Sequence, residues 1–443
     1  MRTQTEYIEI ARRAGIVGAG GGGFPMYVKL QFPVDTVIVN GAECEPLLHK
    51  DKELMKAHAA QMVHGALGAA RAVGAGRVIF GLKEKYRDVV EVVRQAAVGS
   101  TVEFCLLGNF YPSGDEYVLV YEATGRLIPT GGLPKDAGCL VQNSETLVNF
   151  AAAVDAGTPV TETWITVTGA VRAPATFRVP IGTPYRALLA AAGGSTVADL
   201  AILDGGAMMG KLVTDLDTPA VKSTAGLVVL DRSHELVRRR ELPRPKVEKV
   251  GLSACDQCYY CTEFCPRFLL GHPIEPHKVM RSLGFVGVSR EYWSEWAAAC
   301  CECNLCSLYA CPEDLDPKNI CTWSKREVLA TGYTFPEPRE VTVHPMAEGR
   351  KVPLPKLIGR LGLSEYDRPA PLRLWPDDVP VLTVRLDQHR GKPARPVVKT
   401  GEPVTAGQVI GEVDTADLGC PVHAPRAGTV RSVDETAIVI ERT

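Results

Sequence analysis

Ten of the 14 cysteines lie between Cys255 and Cys321, and eight of them form two runs. The first is Cys255, Cys258, Cys261 and Cys265, spaced C-x2-C-x2-C-x3-C and followed by Pro266. The second is Cys300, Cys303, Cys306 and Cys311, followed by Pro312, with x4 in the last gap. Short gaps let one loop wrap three corners of an iron–sulfur cube. The fourth thiolate comes from further along, and the proline turns the chain out of the loop. Zinc would call for paired C-x2-C knuckles rather than three cysteines in series. Disulfides would be scattered along the chain and would suit an oxidising compartment.

These spacings match the bacterial ferredoxin pattern for two [4Fe-4S] clusters, in which the fourth cysteine of each run serves the other cluster. The expected ligand sets are therefore Cys255, Cys258, Cys261 and Cys311 on one cube, and Cys300, Cys303, Cys306 and Cys265 on the other. The extra residue before Cys311 is expected to shift its approach without losing the ligand. Cys301 is read as pointing away, and it and Cys321 as structural. Interlocked cubes lie within tunnelling range and carry single electrons. Another part of the chain must supply or accept them.

The remaining composition narrows the field. With 49 basic and 51 acidic residues the formal charge is -2, which argues against a nucleic-acid partner. The one dense basic run, Arg238 to Arg240, sits beside Pro243 and Pro245 and reads as a solvated linker. No run of about 18 apolar residues occurs, so no membrane span is expected. The N-terminus has no apolar signal region, and a cytoplasmic setting is expected. Tyr7, Ile8, Ala11 and Ala14 recur at helical spacing and predict a short amphipathic helix.

At 443 residues, 46% of them hydrophobic, the chain has room for several domains. Residues 1–160 alternate strands (Val37–Val39, Val78–Phe80, about Val102–Leu107) with helices (about Lys52–Ala72 and Tyr86–Ala97), which predicts α/β with a parallel sheet. Residues 161–240 read as a small α+β module with strands near Trp164, Thr176, Ala201 and Gly226 and a helix in TPYRALLAAAGG. The cysteine domain spans 250–330, and a Pro-rich stretch at 331–370 reads as a linker. Residues 371–443 read as a small β sandwich or barrel with Gly turns.

Two further strings carry chemistry. In GIVGAGGGGFP, Gly18, Gly20 and Gly23 satisfy G-x-G-x-x-G, but a helix precedes the string and Pro25 follows it. That context disfavours a Rossmann dinucleotide fingerprint. Four consecutive glycines still let backbone approach a ligand closely and offer bare N–H groups to phosphate. NGAECEP, Asn40 to Pro46, falls at the C-terminal end of the first predicted strand, where open α/β sheets bind ligands. Glu43 and Glu45 would repel a phosphate and suit ribose hydroxyls or a ring N–H. Lys29 could balance phosphate charge.

GAGGGGFPMYVK, NGAECEP, YPSGDE and TGRLIPTGGLPKDAGCLVQNSETL resemble, in that order, the flavin subunit of respiratory complex I, and more closely the C subunit of the Rnf complex. The 161–231 segment resembles the β-grasp SLBB domain of the same proteins. QHRGKPARPVVKTGEPVTAGQVIGE with CPVHAPRAGTV resembles their barrel-sandwich module, which here comes last instead of first. That order resembles the cobalamin (corrinoid) reductases of propanediol-utilisation microcompartments.

The resemblance implies a multidomain α/β chain: a Rossmann-like complex-I-type FMN domain, a β-grasp SLBB domain, an α-helical double [4Fe-4S] ferredoxin domain and a C-terminal β barrel-sandwich hybrid. It implies FMN contacts from Gly18, Gly20, Gly21, Lys29, Asn40, Glu43, Tyr111, Gly114, Glu116, Asn143 and Thr146. Phe24 and Glu45 match positions that face the nicotinamide nucleotide. Cys44 and Asp115 fall within the same cofactor motifs and depart from complex I, which has serine and glutamate there.

The activity implied is an NADH-dependent oxidoreductase that passes electrons through FMN and two [4Fe-4S] clusters to a corrinoid, cobalamin. Its implied partners are a corrinoid adenosyltransferase and microcompartment shell proteins, with self-association left open. It would work in the cytoplasm or inside a bacterial microcompartment. The competing readings are an Rnf-like electron-input subunit exchanging electrons with a ferredoxin, and a non-catalytic electron wire. No Ser/His/Asp triad, Walker motif or D-x-H-x-x-G corrinoid motif occurs. The carrier-type turn CPVHAPRAG has no lysine for a covalent cofactor, and His423 within it reads as structural.

Overall fold

Strand Thr36–Gly41 (TVIVNG) is apolar on both faces, as a strand covered by helices on both sides must be. In the computed structural model, which describes residues 2–376 and 378–443, it lies inside a four-stranded all-parallel sheet. The order is Glu103–Leu107, Arg77–Lys83, Thr36–Gly41, Cys139–Asn143. Val37 and Val39 face a core built with helices Lys50–Val73, Arg87–Ala96 and Ser144–Ala156. Ile38 faces the opposite core with Leu119 and Val120 of helix Glu116–Thr124. The two faces follow from the two-residue period of a strand. Helix Gln4–Arg13 carries a Thr3/Glu6 capping box and buries Tyr7 and Ala11 in the first of these cores.

Five strands form the second module, in the order Ala175–Pro180, Glu162–Gly169, Gly226–Asp231, Leu200–Asp204, Lys211–Val213, with helix Tyr185–Ala191 packed on them. The edge strand Lys211–Val213 is too short to stand out in the sequence. The C-terminal module is two small antiparallel sheets, of four and three strands. Its Val384, Leu386, Ile410 and Val422 share one core with Ile16, Val17 and Met26 of the first domain. Buried Lys222 locks three modules at one point, donating from Nζ to the carbonyls of Gly15 (2.7 Å) and Pro421 (3.1 Å) while its N–H donates to Gln388 (3.1 Å). His423 is buried beside it, and burial first, then the Lys222 charge, pushes its imidazole down to about 3.

The Pro-rich stretch at 331–370 is more than a linker. Val352–Pro353 pairs antiparallel with Phe110–Tyr111, and helix Leu354–Arg360 follows. Leu354, Leu357, Ile358, Leu361 and Leu363 enter a core shared with Tyr111, Leu203, Leu230, Cys303 and Leu308. Prolines at the helix start suit its first turn. The apolar side chains behind them hold the segment down as a strap across three modules.

Candidate functional site

Strand order turns back between Thr36–Gly41 and Cys139–Asn143, so the C-terminal edge of that pair is the switch-point crevice of the sheet. Asn40 and Asn143 are register partners there. Asn40 donates from Nδ2 to the Gly114 carbonyl (2.9 Å) and accepts from the Ala42 N–H (3.3 Å). Asn143 caps helix Ser144–Ala156, accepting from the Glu145 N–H (3.0 Å), and donates to both Asp51 oxygens (3.1 Å). Thr146 pins the glycine loop: its hydroxyl accepts from the Ala19 N–H (3.1 Å) and donates to the Val17 carbonyl (3.3 Å). Gly18 donates its N–H to the Phe24 carbonyl (2.9 Å), closing the loop.

Backbone dominates the rim. A side chain at Gly20 would meet Asn143 Nδ2 at 3.3 Å, and Gly21 takes a φ of +96° with open space before it. The N–H groups of Gly20, Gly21 and Gly22 find no acceptor among the described residues. A Cβ at Gly114 would stand 3.0 Å from the Ala42 carbonyl and 3.3 Å from Cys44 Sγ. The close backbone cradle fits the flat ring of a flavin mononucleotide, and the bare donors above it fit a phosphate.

Charges beneath the rim are paired. Lys50 meets Glu145 at 2.6 Å with both side chains at most 2% exposed, and Lys50 also donates to the Ala19 carbonyl (2.9 Å). Local sequence gives no sign of this pair. Lys29 is held by Glu116 (3.2 Å) and the Val141 carbonyl (3.1 Å), so its charge is partly answered before any phosphate arrives. Glu43 accepts from the N–H groups of Asp51 (3.1 Å) and Lys52 (3.4 Å). Burial, then the neighbouring Asp51 carboxylate, pushes its proton affinity up. Burial raises the Cys44 thiol to about 12 and lowers the Lys83 ammonium to about 8.

Three expected cofactor residues have partners in other modules. Glu45 is held by the second module. Its oxygens accept from the N–H groups of Met208 (3.0 Å) and Met209 (2.9 Å) in the second module, and burial raises it to about 7. Asp115 caps helix Glu116–Thr124 through the N–H groups of Tyr117 (3.1 Å) and Val118 (3.2 Å). It also forms a two-pronged pair with Arg267 of the cysteine domain, one prong at 3.0 Å. A carboxylate at a buried helix start draws the nearest guanidinium, and Arg267 also lies 3.6 Å over the Tyr117 ring. Tyr111, expected on the flavin, is 2% exposed and sends its hydroxyl to the Cys303 carbonyl (2.8 Å). It thus joins the wall of the crevice to the second cysteine loop.

The two cysteine loops share one backbone shape. Gln257 and Tyr259 flank Cys258 with φ of +61° and +75°, and Glu302 and Asn304 flank Cys303 with +60° and +70°. Left-handed non-glycine residues cost roughly 1–2 kcal/mol each, so their repetition marks a conformation imposed by what the loops must enclose. The α-helical turn Tyr260–Glu263 runs through Cys261 into the x3 gap before Cys265, whereas the x4 gap to Cys311 is spanned by a π turn, Cys306–Ala310. A π turn absorbs one extra residue, so Cys311 leaves its turn as Cys265 leaves the other.

The two loops bring their thiols together, and several neighbour thiols of the opposite run. Burial raises Cys261 to about 12, and its charged neighbours are Cys255, Cys258 and Cys311. Burial likewise raises Cys306, whose thiol neighbours are Cys300, Cys261 and Cys265, and Cys303 neighbours Cys301, Cys265 and Cys306. Sulfur-directed donors are in place from Gln257 Nε2 to Cys255 (3.2 Å), Glu302 N–H to Cys300 (3.3 Å) and Leu315 N–H to Cys311 (3.4 Å). Among the described residues no three His, Cys, Asp or Glu side chains converge on a single-ion site. A soft donor set, buried except at Cys255 and Cys258, with N–H···S support fits [4Fe-4S] cubes. Cys301 neighbours Cys303, and buried Cys321 neighbours Cys300, so both stand beside expected cluster ligands.

Family models match each module. The Nuo51 FMN-binding domain covers residues 11–152, the SLBB domain 164–212, the 4Fe-4S dicluster domain 254–316 and the RnfC barrel sandwich hybrid domain 376–442. Cobalamin reductase PduS of Salmonella typhimurium is 41% identical over 437 residues, 99% of this chain and 96% of its own length. The chain belongs to the PduS cobalamin reductase family. It is also similar to the C subunit of the proton-translocating ferredoxin:NAD(+) oxidoreductase complex of Clostridium ljungdahlii. That protein is 34% identical over 269 residues, 60% of this chain and 56% of its own. An NAD+-reducing [NiFe]-hydrogenase in the H2-reduced state shares the fold, with a TM-score of 0.50 at 20% identity over 75% of this chain and 64% of that one. This PduS-family chain therefore carries FMN and 4Fe-4S modules in one molecule. Among its described residues no helix is long and apolar enough to cross a membrane.

Proposed function

We propose that this chain is an NADH-dependent corrinoid reductase. FMN takes an electron pair as hydride and releases electrons singly, and [4Fe-4S] cubes carry them one at a time. The residues divide that work. Gly18, Gly20, Gly21, Asn40, Glu43, Gly114, Asn143 and Thr146 shape the flavin crevice, with Lys29 and Glu116 as a pair at its edge and Phe24 on the nucleotide side. Cys265, Cys300, Cys303 and Cys306 hold the nearer cube, and Cys255, Cys258, Cys261 and Cys311 the further one. The observation that carries the reading is the Tyr111 hydroxyl on the Cys303 carbonyl at 2.8 Å, which puts the flavin wall against a cluster loop without intervening solvent.

The acceptor follows from near full-length similarity to a protein named cobalamin reductase. A corrinoid adenosyltransferase is the fitting consumer of the reduced corrinoid. The cytoplasm or a bacterial microcompartment, with shell proteins as neighbours, is the fitting setting; module order supports both. The test is anaerobic NADH-driven reduction of cob(III)alamin against an equal amount of free FMN. Faster reduction by the protein is expected. A rate equal to the control, with NADH still consumed when a ferredoxin is added, would move the acceptor to a redox protein.

A further inference from the structure

The glycine loop has a neighbour from the far end of the chain. Arg390 of the C-terminal module donates its backbone N–H to the Gly23 carbonyl (2.8 Å) and its Nε to the Gly22 carbonyl (3.3 Å), across 368 positions. Those bonds fix the base of the guanidinium. Its two terminal nitrogens have no acceptor among the described residues, and the side chain is exposed. The equally open N–H groups of Gly20, Gly21 and Gly22 lie in the same turn. The module cannot swing aside freely, because its Leu386 and Val422 share a core with Ile16 and Val17, and Lys222 bonds Gly15 to Pro421.

We propose that Arg390 and the Gly20–Gly22 amides form one phosphate site, assembled from both ends of the chain, that takes the pyrophosphate of the nicotinamide dinucleotide at the rim of the flavin crevice. This rests on the reading that NADH is the donor. A guanidinium beside a run of backbone donors is the chemistry that binds a phosphate oxyanion through charge-assisted bonds. Gly20, Gly21 and Gly22 are exposed, whereas Asn143 and Thr146 lie on the inner side of the loop, so the outer ligand is favoured over the phosphate of FMN. A module that contributes only packing would leave phosphate recognition untouched when Arg390 changes.

The test uses the full-length, cofactor-loaded chain and the variants Arg390→Ala and Arg390→Lys. In anaerobic stopped flow, the NADH concentration for half-maximal flavin bleaching should rise about tenfold or more in Arg390→Ala, as loss of charge-assisted bonds implies. Arg390→Lys should recover part of it. The parent's half-saturation should climb with salt more steeply than that of Arg390→Ala. A second arm measures the FMN dissociation constant of flavin-stripped parent and variant. A change there, with NADH saturation unmoved, would keep the phosphate site and overturn its assignment to the dinucleotide. If both arms stay within about twofold of the parent, the proposal is wrong. If NADH fails to bleach the parent while dithionite succeeds, the donor reading fails separately, and the FMN arm alone judges the site.

Discussion

Replacing Arg267 by methionine should loosen the flavin domain from the cluster domain more than any surface change. Arg267 and Asp115 are 9% and 15% exposed, and the guanidinium is committed twice over, to the carboxylate and to the Tyr117 ring. Removing one partner of a buried, hydrogen-bonded ion pair costs about 3–5 kcal/mol, because the other charge is left without its counterion. The Asp115 carboxylate keeps two helix N–H donors, which argues for the lower half of that range. Lost stacking on Tyr117 adds back about 1 kcal/mol. Together these make about 4–5 kcal/mol, so opening of this contact should become about 10^3 times more frequent or somewhat above. Hydrogen exchange of peptides covering Pro266–Leu269 and Glu116–Thr124 in the anaerobic, cofactor-loaded protein reads that equilibrium directly. The double variant Asp115→Asn/Arg267→Met should recover more than half of the loss, since no buried charge is then orphaned. Exchange accelerated less than about fivefold in Arg267→Met would mean the pair behaves as an exposed one, and the argument from burial would fail.

Three other outcomes are expected. Gly114→Ala forces a methyl to 3.0 Å from the Ala42 carbonyl, so bound FMN after desalting should fall while iron content holds. Crossed ligation predicts that Cys311→Ala removes the same paramagnetic cluster signal as Cys258→Ala, and Cys265→Ala the same one as Cys303→Ala; pairing within each run would contradict it. Glu45 is raised from 4.5 to about 7 by burial, so the folded state holds its proton more tightly than the unfolded one. Its contribution is fully present below pH 4.5 and is lost as pH rises through about 7, amounting to roughly 3 kcal/mol. A pH series of thermal midpoints should fall more steeply over that window for the parent than for Glu45→Gln, and parallel curves would refute the shift.

Local pattern carried much of this architecture and stopped at contacts between modules. The cysteine spacing was readable because a cube imposes short, fixed gaps, and even the extra residue before Cys311 has a local answer in its π turn. Parallel strands were readable from apolar runs alternating with helices. The partners of Glu45 and Asp115 were not legible, because motif position says which backbone they sit on, while Met208, Met209 and Arg267 lie more than 150 positions away. The 331–370 stretch looked like a linker because its prolines dominate composition, while the burial of Leu354 and Leu357 depends on three other modules.

The most direct test of the central claim is an anaerobic single-turnover experiment, in which the oxidised protein is mixed with NADH in the presence of cob(III)alamin and sampled by absorbance and freeze-quenched paramagnetic resonance. The account predicts flavin bleaching first, cluster signals next and corrinoid reduction last, with the cluster and corrinoid phases slowed when Tyr111→Phe removes the bond to Cys303. Corrinoid reduction at the parent rate while both clusters stay oxidised would contradict it.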